Sequence, residues 1–432
     1  MTGATRGWLS LSWLAVLSGC WFILTRRFAN QQPARVHRWL QLVIVGAITL
    51  IVRAVPALLL PSGAAFDTTS YAIVGSLIRT GHDIYTTPLA QGRHPYLPLQ
   101  LYAYAAAHWL ATTKGLPFAP LTKAPPIVAD GIIAVTLTWL GQRRWDSWHL
   151  GLWYALQPIA IYVSAYHGQF DAEPALAGLL AGLAGEAGHG TVAGLWLGLG
   201  ILLKLWPAFF APLLIWRLTR WQARAAAAFS IAIVPLLGIA CYRWLFPGSW
   251  SAVITPALSY AGVPGWWGYT ALLRLSAVAA QHPIAAFLQP WQPAKRLAQA
   301  ALFGRYGTLV ALLLITLWLM WRRAPFLHAQ LTLTLTFLAT TAGFGVQYLV
   351  WPVPFALAAG YRRPLRAYTA ACLILLLGAN LLGLLQPQLH SFPLVRSDDT
   401  VRALGIPAWL VTLGWTVHCL RHRDHTAAKI SR

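Results

Sequence analysis

The stretch Phe66–Pro98, FDTTSYAIVGSLIRTGHDIYTTPLAQGRHPYLP, decides how the rest of the chain is read. It is the longest polar interruption in the first half of a very apolar sequence, and it follows a hydrophobic run that ends at Leu60. Of the chain's 10 acidic residues it holds Asp67 and Asp83, with His82, His94, Arg79, Arg93, Tyr71, Tyr85 and Tyr96 around them. Asp67 therefore falls at a membrane–water boundary, where a carboxylate can ionise and still reach a lipid headgroup.

Outward from this stretch the composition sets the class. The chain is 58% hydrophobic and 10% charged, whereas soluble domains carry about 25% charged residues. The expectation is an all-α polytopic membrane protein, one structural unit over residues 1–432. The net charge of +22 does not point to nucleic acid, because the basic residues lie between apolar runs. It points to topology and to contact with anionic lipid. The cysteines (Cys20, Cys241, Cys372, Cys419) lie in or beside apolar runs and show neither metal-binding spacing nor a disulfide framework.

A spanning helix needs about 20 residues, and cytoplasmic loops are rich in Lys and Arg. The run 8–24 has its charges, Arg26, Arg27, Arg35 and Arg38, on the C-terminal side, so it reads as a retained anchor with an outer N-terminus, not a secretory signal. The run 39–60 then delivers Asp67 to the outer face. The segment 96–110 is placed along the outer surface, within a first outer loop of 61–121. This keeps Arg143 and Arg144, and the later basic loops at 217–224, 322–323, 362–366 and 421–423, cytoplasmic. The remaining runs are 121–140, 150–166, 172–187, 191–203, 205–216, 225–245, 301–321, 326–344, 349–360, 367–385 and 404–420. Together they give about 13 transmembrane helices with juxtamembrane helices. Residues 122–245 continue the motif-bearing module, 246–300 form a second long outer loop, and 301–432 hold the C-terminal helices.

This topology brings Asp67, Asp83, Asp130, Asp171, Glu173, His94, His167, Lys123, Lys204 and Arg274 to or near the outer boundary. Polar groups at membrane depth are costly and line functional cavities. Four sequence features stand on that side, in order. They are Asp67 followed by GHDIY (Gly81–Tyr85) and HPYLP (His94–Pro98); YHGQFD (Tyr166–Asp171) after Gln157–Pro158; LLKLWPAFFAP (Leu202–Pro212); and GVQYLVWPVP (Gly345–Pro354).

With these motifs the chain resembles the GT-C superfamily of integral membrane glycosyltransferases, in particular the polyprenyl- or dolichyl-phosphate-hexose-dependent glucosyl- and mannosyltransferases. The resemblance covers about 300 residues. The N-terminal anchor departs from the simplest pattern, and the last two spans carry no matching motif. The resemblance implies transfer of mannose or glucose from a polyprenyl-phosphate donor to a glycan or glycolipid acceptor, with inversion, on the extracytoplasmic face of the cell membrane.

Such a donor carries its own leaving group, so the protein must supply a base for the acceptor hydroxyl and positive charge for the phosphate. Asp67 is the candidate base, although Asp-Thr-Thr-Ser is also a good helix cap. Asp83 either orients sugar hydroxyls or holds the loop. His167, Gln169 and Asp171 are candidate substrate contacts. His167 and Asp171 stand at i and i+4, so they either bind a divalent cation or form a hydrogen-bonded helix end. Lys204, set between leucines with Pro207 following, either snorkels or answers an anion. His94, Arg274 and Tyr348 complete the candidate set; Tyr348 also fits an ordinary interfacial aromatic. Asp130 and Lys123 are two turns apart and form either a buried pair or a substrate contact. A transporter or flippase of lipid-linked saccharides is the alternative class. The chain has no Walker motif, no GxGxxG and no nucleotide-sugar domain.

Overall fold

The computed structural model describes residues 3–28, 36–60, 63, 65–145, 147–260, 262–279, 293–389 and 397–421. Arg35 and Arg423 of the basic clusters, and residues 280–292 of the 246–300 loop, lie outside the described residues.

The architecture is all-helical. Among the described residues seven stretches are long and apolar enough to cross a membrane by length and composition. They correspond to α1 (Gly3–Phe28), α2 (Arg38–Leu59), α5 (Phe118–Trp145), α11 (Trp221–Leu245), α14 (Pro293–Trp321), α17 (Arg362–Leu389) and the stretch formed by α18 (Ser397–Leu404) with α19 (Ile406–Arg421). Between them come α3 (Ala65–Arg79) and α4 (Leu99–Lys114), then α6 (His149–Ala155), α7 (Pro158–Ile161), α8 (Ala172–Glu186), α9 (Gly190–Leu203) and α10 (Ala211–Arg217). After α11 come α12 (Trp250–Ser259), α13 (Gly268–Ala279), α15 (Phe326–Thr340) and α16 (Pro352–Ala358). Among the described residues the one sheet is a two-residue pairing of Val263–Pro264 with Gly343–Phe344.

The other six apolar runs are shorter or broken helices, for a reason that hydropathy does not see. Pro158 ends α6, since a proline cannot donate within a helix interior. The side chain of Gln157 then restarts the helix by accepting from the Ala160 backbone N–H at 2.9 Å. A π-helical turn follows over Tyr162–His167 and stops at Gly168, whose φ of +86° suits glycine. Pro207 likewise confines Trp206–Phe210 to a 3-10 turn before α10. Val346–Val350 forms another 3-10 turn before Pro352 opens α16.

Successive elements join two ends of the molecule. At one end Arg144 bonds Glu186 at 2.6 Å, and Arg217 donates to the Arg323 carbonyl at 3.2 Å. Gln142 meets the Arg38 carbonyl there at 2.9 Å. α5 reaches this basic end at its C-terminus, Arg143 and Arg144. The core is packed by α5, α6, α8, α15 and α16, with the buried Trp21 indole donating to the Trp153 carbonyl at 3.0 Å. The long helices turn apolar side chains outward instead: Val43, Ile51 and Leu58 on α2, and Phe303, Leu313, Leu317 and Trp321 on α14. Exposed apolar stripes on long helices are what a lipid solvent requires. The seven long apolar helices are compatible with a multi-pass membrane protein.

Candidate functional site

The YHGQFD stretch builds the centre of the site, because its backbone leaves the helix at Gly168 and its side chains reach two carboxylates. Gln169 Nε2 donates to Asp67 Oδ2 at 2.7 Å, and His167 Nε2 stands 4.0 Å from the same oxygen. Asp67 lies in the first turn of α3, where the helix dipole favours an anion. Its side chain remains 31% exposed. Among the described residues its Oδ1 has no hydrogen-bond partner.

Two residues further, Asp171 is fully buried and Lys204 nearly so, and they form an ion pair of 2.6 Å. Asp171 stands at the N-cap of α8 but does not cap it. Its second oxygen instead accepts from the Trp351 indole at 2.6 Å. The Lys204 ammonium lies over the rings of Phe170 at 4.3 Å and Tyr96 at 4.8 Å. The anion that Lys204 answers in the structure is therefore a protein carboxylate. Trp351 stacks on Trp206 at 4.6 Å and meets Tyr348 at 4.3 Å, so the GVQYLVWPVP and LLKLWPAFFAP motifs close on one another here.

Two apolar cavities lie nearby, one lined by Lys204 and the other by Glu173, while Asp67, His167 and Gln169 line neither. The first, of about 390 Å³, is lined by Tyr96, Lys204, Trp206, Tyr260, Tyr348 and Trp351 together with α14 residues that include Arg305. The second, of about 740 Å³, lies between α4, α5, α8 and α9; its lining includes Gln100 and Glu173, 3.5 Å apart. Neighbouring residues face opposite cavities, Lys204 the first and Leu203 the second.

The remaining candidates are distributed differently. Asp83 is held from several sides: by Arg243 Nη1 at 2.9 Å, by the Tyr242 hydroxyl at 2.9 Å, and by Thr86 and the Tyr85 N–H, each at 3.1 Å. It fastens the 80–98 loop to α11. Burial alone would raise its pKa, but the bonds from Arg243, Tyr242 and Tyr85 outweigh burial and hold it below the ordinary carboxylate value. His94 is buried edge-on to Tyr96 and Tyr104. Burial pulls its pKa down to about 4, so it is neutral at physiological pH. Arg274, half-buried on α13, lines neither cavity.

Two sequence expectations are corrected by the geometry. His167 and Asp171 do not share a helix face, because Gly168 breaks the helix between them; His167 turns to Asp67 and Asp171 to Lys204. Among the described residues no three His, Cys, Asp or Glu side chains converge, and the charge of Asp171 is already compensated, so this pair does not fit a divalent cation. Asp130 pairs not with Lys123 but with Arg53 at 2.6 Å, both fully buried, and also accepts from Ser164 and Tyr154. Arg53 was hidden inside an apolar run, and the Trp351 indole and Arg243 carried no sequence signal toward their aspartates.

No protein-family model matches the chain, and no curated protein is significantly similar to it.

Proposed function

We propose that the chain is a membrane glycosyltransferase of the GT-C type that moves a hexose, mannose or glucose, from a polyprenyl-phosphate donor to a lipid-linked acceptor on the extracytoplasmic side. The observation that carries this reading is the partly exposed carboxylate of Asp67, oriented by Gln169 and His167, with Lys204 of the neighbouring ion pair lining one apolar cavity and Glu173 another. A reaction between two lipid-linked molecules needs two apolar compartments that meet at one polar centre. The order of the four motifs supports the same class, and about 13 membrane passes follow if the interrupted segments also cross.

In this mechanism the acceptor hydroxyl oxygen attacks the anomeric carbon from the face opposite the phosphate. Asp67 Oδ1 takes the hydroxyl proton as the new C–O bond forms. The bond from the anomeric carbon to the phosphate oxygen breaks, and its electron pair leaves on polyprenyl phosphate. A single displacement inverts the anomeric centre, so a β-linked donor gives an α-linked product. Tyr96, Trp206 and Tyr348 offer ring faces to the sugar or the prenyl chain.

Asp67→Asn tests this. It preserves shape but removes the basic oxygen, so transfer from a polyprenyl-phosphate hexose falls by about 10²–10⁴-fold while the protein stays monodisperse. Near-normal transfer, or a product of retained configuration, removes Asp67 from the mechanism. The interrupted segments around the site favour a second reading, a carrier of lipid-linked saccharides. Under that reading the purified chain transports a labelled lipid-linked sugar across a vesicle membrane and forms no new glycosidic bond.

A further inference from the structure

Among the described residues Glu173, whose contact is Gln100 at 3.5 Å, and Lys123 are interior ionisable side chains that lack an ion-pair partner. Arg53 holds Asp130, Lys204 holds Asp171, and Arg243 holds Asp83. Lys123, 1% exposed on α5, makes no ion pair and no hydrogen bond among the described residues. A buried unpaired charge costs several kcal/mol, so an ammonium that the fold leaves without a carboxylate suits an anion supplied from outside the chain.

The position of Lys123 says which anion. Its stem lies along Gly168, where an added Cβ would stand 3.2 Å from Lys123 Cε and 3.4 Å from Cγ. Gly168 sits between His167 and Gln169, the two residues that orient Asp67, so the cation and the candidate base share one turn of backbone. A second buried group there also lacks a partner. Because Gln169 Nε2 is committed to the Asp67 carboxylate, Gln169 Oε1 faces away from it, buried and without a hydrogen-bond donor. A ligand that satisfies both orphans carries an anion for Lys123 and a hydroxyl for Gln169, as a glycosyl phosphate does. We infer that Lys123, rather than the already neutralised Lys204, binds the phosphate of the lipid-linked donor, with a sugar hydroxyl donating to Gln169 Oε1; the inference rests on the transferase reading above.

The test is binding, with no turnover required. Full-length protein in detergent is titrated with decaprenyl phosphate, decaprenol and inorganic phosphate. Wild type binds decaprenyl phosphate about tenfold or more tighter than decaprenol, and tighter than inorganic phosphate. Lys123→Met abolishes that preference without changing decaprenol affinity, and Lys123→Arg keeps most of it. A Lys123→Met protein that retains the preference overturns the inference and leaves the role of Asp67 standing. A wild type without any preference overturns both the inference and the polyprenyl-phosphate donor, and a preference met equally by inorganic phosphate makes this a free-anion site and overturns the lipid donor. If the Met variant is not monodisperse, protection decides in wild type. Decaprenyl phosphate, and not decaprenol, slows acetylation of Lys123 read by peptide mass spectrometry; equal rates with both lipids overturn the inference.

Discussion

Lys204 and Asp171 bring opposite charges into the interior only 2.6 Å apart, and Trp351 occupies the second carboxylate oxygen. The desolvation cost of each charge is met by the other, so losing one partner strands its mate. Lys204→Met or Asp171→Asn alone is expected to destabilise the folded protein by about 3–5 kcal/mol, and the double variant by much less than the sum. Unfolding in mixed detergent, run as a double-mutant cycle, measures this; two nearly neutral single variants would show that the pair is not closely coupled. At this scale much of the candidate site was legible in the sequence, because a lysine or an aspartate among leucines is conspicuous. The partners were not legible. Trp351 looked like any interfacial aromatic, and Arg53 and Arg243 sit 77 and 160 residues from the aspartates they hold.

The loop between α3 and α4 is fixed at both ends of its polar run, by Asp83 on α11 and by His94 among Tyr85, Tyr96 and Tyr104. The two anchors answer differently to acid. Asp83 has its pKa lowered in the fold, so its clamp holds through neutral pH and fails only in strong acid. His94 has a pKa of about 4 in the fold against about 6.5 when unfolded. Between those values the unfolded chain takes up a proton that the folded loop refuses, so stability is complete above about pH 6.5 and declines as pH falls toward 4. His94→Gln should flatten this decline, which thermal unfolding followed from pH 7 to pH 5 measures. An unchanged slope in the variant would assign the acid sensitivity to other groups. At the element scale the sequence was less forthcoming. Apolar runs located the helices, but prolines at 158, 207 and 352 broke three runs into turns whose side chains face the site.

Across the whole molecule, charge is sorted by end. Arg144, Arg217 and Arg323 meet at one end with Glu186, while Asp67, Asp83 and Asp171 lie toward the other. Helices that alternate between two such ends are oriented by the preference of Lys and Arg for the cytoplasm. In the sequence Lys or Arg stands at most boundaries placed on the cytoplasmic side, though not between 187 and 191. The number of true crossings could not be read there, because elements such as α8, α9 and α15 are 14–15 residues long and are apolar enough for a buried position as much as for a span. Sidedness is open to direct measurement. In a background without the native cysteines, Gln91→Cys in the Asp83 loop and Ala187→Cys after α8 occupy opposite ends, and both positions are exposed. A membrane-impermeant maleimide added to intact cells should label Gln91→Cys and leave Ala187→Cys unlabelled until the cells are opened. Labelling in the reverse order would put the Asp67 end in the cytoplasm, with Arg144 and Arg217 outside. The inverting transfer would then have to draw on a donor exposed to the cytoplasm, and the extracytoplasmic assignment would fall while the pairing of Asp67 with Gln169 remained.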